Sequence, residues 1–148
     1  MEPELRLQAT VHRNVDVLEW EHSHGRLDEA AYLVGRQLKR AYERLPAAAC
    51  TSNWQGGDRV DGASAQGVII ERMHAAARHV HVIERRAAQV IGQAGVTFLA
   101  LILRDGMTFA DIAARDPHAS RATTTRVADR FRWLLAQLAT GWAARGRR

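Results

Sequence analysis

A chain of 148 residues that is 47% hydrophobic and 25% charged can bury a core, which excludes a disordered chain. A single cysteine, Cys50, excludes an intramolecular disulfide and a cysteine-built metal module. The net charge of +5 is unevenly spread: residues 1–66 hold 8 Lys+Arg against 10 Asp+Glu, and residues 67–148 hold 13 Arg against 6 Asp+Glu. From Arg115 onward, eight arginines face only Asp116 and Asp129, and a positive end of that kind attracts a polyanion.

Alanine, leucine and arginine dominate, and all three favour helix. Leu7, Val11, Val15 and Leu18 recur at helical spacing and predict a first helix over 4–24, stopped by Gly25. A second helix is predicted over 27–45, with Asp28 and Glu29 in its first turn, where the helix dipole favours acids. Ala30, Ala31, Val34, Leu38, Ala41 and Leu45 form its apolar stripe, and Arg36, Lys39, Arg40 and Arg44 fall largely outside it. The two helices (1–45) are expected to pair as an antiparallel hairpin. Pro46, Gly56, Gly57 and Gly62 then predict a loop or linker over 46–66, with Trp54 as its one large apolar anchor.

Ile69, Met73, Ala76, Val80, Ile83, Ala87 and Val90 step by four and three, a seven-residue apolar repeat that predicts a long helix over 66–91. That stripe suits a core helix or one that pairs with a second subunit. Gly92 and Gly95 bracket a predicted turn, followed by a short helix over 96–104 that is apolar nearly all round and so buried. No segment alternates long enough to build a sheet, so the expected fold is all-α, with 67–148 as a helical core.

Thr108 is a good N-cap three residues before Asp111, the spacing of a capping box. Phe109, Ile112 and Ala113 predict the inner face of a short helix ending near Arg115. Pro117 disfavours helix in the residue before it, so a turn follows, and a final helix starts between Ser120 and Thr123. Its buried stripe is Val127, Phe131, Leu134, Leu138 and Trp142. Short helix, turn and basic-faced long helix over 107–142 are the parts of a helix-turn-helix.

Advancing about 100° per residue from Val127 places Arg121, Thr125 and Arg132 on the outward side, with Ala122 and Arg126 flanking them. Arginine can pair with guanine, threonine can use its hydroxyl or methyl on base edges, and small Ala122 and Ala128 permit close approach to the groove. Thr123 and Thr124 fall nearer the buried side as capping or flanking residues. Asp129 divides the basic face and can pair with Arg126 or Arg132 at three-residue spacing. The residues assigned to DNA contact are therefore Ser120, Arg121, Ala122, Thr124, Thr125, Arg126, Arg130 and Arg132. The tail Arg145-Gly146-Arg147-Arg148 adds either sequence-independent phosphate contact or a solvated end.

The run Gly106-Met107-Thr108-Phe109-Ala110-Asp111-Ile112-Ala113, followed by Val127, Phe131 and Leu134, resembles the helix-turn-helix of sigma-factor region 4. Tyr42-Glu43-Arg44 and Arg59-Val60-Asp61-Gly62 ahead of it make the layout similar to small alphaproteobacterial and phage-derived regulators. The resemblance implies a DNA-binding regulator, with RNA polymerase as a possible partner.

Other chemistry finds no footing in the residues. His22 and His24, like His79 and His81, are two apart and splay on a helix, so no metal or other cofactor is expected. Glu71 and Glu84 lie about 19 Å apart along one helix, too far for a paired-carboxylate mechanism. No nucleophile elbow, metalloprotease motif or phosphate loop occurs, and an enzyme is not expected.

The expectation is a sequence-specific, duplex-DNA-binding transcriptional regulator acting as a homodimer. A protein-interaction adaptor, or a phage packaging or structural DNA-binding protein, are the alternatives. The amino terminus lacks a signal-peptide core, and the longest apolar run, Val96–Leu103, is too short to span a bilayer. A cytoplasmic protein with no membrane partner is therefore expected.

Overall fold

The computed structural model describes residues 16–54 and 62–146. It describes side chains in 16–45 and 66–146. Helix α1 (Val17–Ser23) begins where Asp16, in extended backbone, accepts the Leu18 N–H at 3.0 Å. Asp16 thus breaks the predicted helix over 4–24, whose residues 4–15 lie outside the described residues. Leu7, Val11 and Val15 lie outside the described residues. Gly25, at φ 69°, supplies the left-handed stop that the sequence predicts.

Helix α2 (Glu29–Trp54) is capped by Asp28, whose carboxylate accepts the Ala31 N–H at 2.7 Å. It packs antiparallel to α1, as expected. Lys39 pairs with Asp16, Tyr32 donates to Glu19, and the His22 and Tyr32 rings stack 3.8 Å apart. The helix runs nine residues beyond the predicted end, through Pro46 to Trp54. Proline removes one helix hydrogen bond, but Leu38, Ala41 and Tyr42 are buried just before it and alanines at 47–49 favour helix after it. The predicted loop over 46–66 is therefore helical at 46–54 and again from Gly62. Residues 55–61, including Arg59, Val60 and Asp61, lie outside the described residues, as do the side chains of Cys50 and Trp54.

Helix α3 (Gly62–Leu103) is interrupted once, at Gly92, with φ 78° and ψ 164°. That backbone region is open essentially to glycine alone. Tyr42 shows the consequence. Its hydroxyl donates to Glu84 at 3.2 Å, while the Arg104 guanidinium sits 5.9 Å from its ring. The chain therefore bends at Gly92, so that Glu84 before the bend and Arg104 after it both reach Tyr42. Burial raises the Tyr42 pKa, and the neighbouring Glu84 carboxylate raises it further. Gly95, predicted to share in the turn, lies inside the second piece instead.

The seven-residue stripe is buried only in its second half. Val80, Ile83 and Ala87 are core residues, whereas Met73 is 44% exposed, beside exposed Val68 and Ile70. The all-round apolar piece is buried as predicted, through Val96, Phe98, Leu99, Ala100, Ile102 and Leu103.

Two further helices complete the described chain: α4 (Phe109–Ala113) and α5 (Arg121–Arg145). Among the described residues all regular secondary structure is helical, so the all-α fold holds. Phe131, Leu134, Leu135 and Leu138 carry α5 into the core against α2 and α3. Gly141 fixes how closely α5 can lie on α3, because a β-carbon there would meet the Val90 methyls at 2.6 and 2.8 Å. Valine is stiff about χ1 and cannot swing clear. Gly141→Ala, although better for helix propensity, is expected to destabilise the protein by about 1–3 kcal/mol in urea unfolding. An unchanged or raised midpoint would show that the contact relaxes.

Candidate nucleic-acid interface

The carboxy-terminal segment is built from its caps outward. Thr108 Oγ1 accepts the Asp111 N–H at 3.1 Å, and the Asp111 carboxylate accepts the Thr108 N–H at 2.9 Å. This is the capping box that the spacing predicts, and it starts α4 sharply. Helix α4 ends at Ala113, two residues short of the predicted Arg115. Ala113 is buried, and the Phe109 ring lies 5.4 Å from that of Phe131, which seats α4 on α5. Residues 114–120 turn the chain. The Asp116 carboxylate accepts the His118 N–H at 2.9 Å, ahead of the restriction imposed by Pro117.

Helix α5 starts inside the predicted window. The Ser120 N–H donates to Thr123 Oγ1 at 3.1 Å, which gives Thr123 the capping role expected of it. Arg121, Ala122, Thr125 and Arg126 are all exposed, whereas Thr123 and Thr124 are half-buried and Ala128, expected at the groove, is buried in the core beside Val127. These four exposed positions and Asp129 span an arc of about 140° opposite the buried stripe. Among the described residues no carboxylate lies within ion-pair distance of Arg121 or Arg126. The Thr125 hydroxyl donates back to the Arg121 carbonyl at 3.1 Å, so its lone pairs and methyl group remain on the surface.

Two of the assigned arginines are engaged elsewhere. Arg132 Nε donates to Glu21 Oε2 at 2.6 Å, and its Nη1 reaches Asp129 at 3.1 Å. The reason is Glu21, which is only 1% exposed on α1. A buried carboxylate needs a charged partner, and Arg26, at 3.4 Å and half exposed, is a weak one. Arg132 is therefore the main counter-charge of the core and does not project from the exposed face. The Arg130 guanidinium lies 4.8 Å from the Phe98 ring and is tethered by cation–π contact, although the residue remains exposed.

Sequence reasoning missed two residues. Glu21 lies three residues after Leu18, on the same helical face, and that spacing was the available signal. Arg115, exposed in the turn with its Nη2 3.4 Å from Met107 Sδ, adds positive charge beside the start of α5. At the far end, Arg145 donates to Gln89. Arg147 and Arg148 lie outside the described residues.

Among the described residues no three His, Cys, Asp or Glu side chains converge on a possible metal position. Arg104 and Asp105 form a pair in which the guanidinium hydrogen bond lowers the carboxyl pKa and raises that of the arginine. Residues 66–103 are long and apolar enough to cross a membrane by length and composition. The uncharged stretch at 87–103 contains the break at Gly92, and much of it is packed in the core. No family model matches the chain, and neither a curated protein nor a solved structure shows significant similarity to it.

Proposed function

We propose that this protein is a sequence-specific transcriptional regulator that binds duplex DNA through the first two turns of α5, as a helix-turn-helix. One observation carries the reading. Arg121, Ala122, Thr125 and Arg126 share the exposed face of a helix whose opposite face is fixed in the core, and among the described residues neither arginine has a counter-ion. Arginine forks match the O6 and N7 acceptors of guanine, threonine reads by methyl or lone pair, and the small alanine lets the backbone approach. Arg115 and Arg130 flank the face and suit phosphates, which position a protein without reading sequence.

A single short recognition helix offers little specific surface, so the protein acts as a homodimer on paired half-sites. The exposed apolar residues Val68, Ile70 and Met73 at the start of α3 support that assembly. The cytoplasm is where such a protein works. RNA polymerase is a partner only in the adaptor reading, in which the same α4–α5 unit contacts protein.

Selecting bound sequences from random duplexes tests the proposal. The expected result is an enriched motif of two half-sites about 10 base pairs apart, or a multiple of that. Recovery of no motif from a protein that still binds duplex DNA would favour a structural or packaging role. Recovery of no DNA at all would favour the adaptor.

A further inference from the structure

Three arginines of α2, half-buried Arg36 and exposed Arg40 and Arg44, line one groove. Arg36, Arg40 and Arg44 follow at four-residue intervals and span about 12 Å of helix. His79 of α3 closes the groove from the other side, Leu33 and Gln37 complete its wall, and the volume is about 330 Å³. Among the described residues no carboxylate lines it.

A neighbouring hollow, which Arg36 and Arg40 also border, holds Asp16, Glu19 and Glu43, and these acids have other partners. Asp16 and Glu43 pair with Lys39, and Glu19 accepts from the Tyr32 hydroxyl. Among the described residues no carboxylate lies within ion-pair distance of Arg36, Arg40 or Arg44. Arg36 is held in place by Tyr32, with its guanidinium 5.6 Å from the ring and Nη1 3.4 Å from the hydroxyl. Like charges four apart on a helix repel one another. An anion in the groove would relieve that repulsion.

We infer that this groove is a binding site for a small ligand carrying two linked phosphates. Guanidinium groups take phosphate oxygens in paired, charge-assisted hydrogen bonds, and 12 Å of arginines suits more than one phosphate. The volume suits a small molecule, and the exposed Leu33 gives its uncharged part an apolar wall. The site lies on α2 and α3, not on α5, so a ligand there is an effector separate from the DNA-reading face. It stands whether or not that face binds DNA.

Inorganic pyrophosphate is the probe, titrated calorimetrically at low salt into the full chain. The double variant R40Q/R44Q keeps good helix formers at two exposed positions, and its circular dichroism should match wild type. Its pyrophosphate affinity is expected to fall about tenfold or more, and R44Q alone to show part of that loss. R72Q/R78Q, which removes two exposed α3 arginines outside the groove, is expected to bind as wild type does. Equal loss in both double variants, or no loss in R40Q/R44Q, would overturn the site. Duplex DNA affinity is expected to be unchanged in R40Q/R44Q. A parallel fall in DNA affinity would make the groove a track for the nucleic-acid backbone and end the small-ligand assignment.

Discussion

Arg132→Ala is expected to destabilise the protein by about 3 kcal/mol, because it strips a carboxylate that is 1% exposed of its closer partner. Arg26 at 3.4 Å remains but is half exposed, so its charge is shared with water and compensates little. In urea the midpoint should fall with an unchanged slope. Removing both charges separates the pair's own worth from the penalty of breaking it. E21M/R132M fills a similar volume with apolar groups and is expected to recover to within about 1 kcal/mol of wild type. A loss equal to that of Arg132→Ala would instead mean that the pair specifies the packing of α1 on α5. Duplex affinity of folded Arg132→Ala is expected to be unchanged, because its guanidinium is committed to Glu21. A clear drop in affinity would restore Arg132 to the DNA-contacting set.

Arg121→Ala and Arg126→Ala are expected to do the opposite. Both side chains are exposed and without an ion-pair partner among the described residues, so stability should stay within about 0.5 kcal/mol of wild type. Affinity for a selected site should fall by about 1–3 kcal/mol for each, roughly 5- to 150-fold. Ala122→Leu adds a branched bulk to the same face without changing charge, and it too should weaken site binding while leaving the fold intact. If both arginine variants bind the selected site as wild type does, the reading face lies elsewhere.

These contrasts show what a linear pattern can carry. The capping box at Thr108, the stop at Gly25 and the stripe of α5 were legible because each is a local event set within a few residues. The bend near Gly92 was legible too, since two glycines mark a break, but Gly92 alone takes the positive φ while Gly95 stays helical. Pro46 misled. Its local cost is real, yet burial on one side and alanines on the other keep the helix going. The fate of Arg132 was settled by Glu21, 111 positions away, and a helical wheel of α5 alone holds no trace of it. The candidate face consequently narrows from eight residues to a cluster around Arg121, Ala122, Thr125 and Arg126, with Ser120 and Thr124 serving the start of the helix and Arg130 at the edge.

The central claim is that the basic start of α5 engages duplex DNA, and the salt dependence of binding tests it most directly. Wild-type affinity for a random duplex should fall linearly on logarithmic axes with salt, by about 0.9 per neutralised phosphate, giving a slope near −2 or steeper from the arginines flanking the face. No binding at low salt, or binding indifferent to salt, would contradict it.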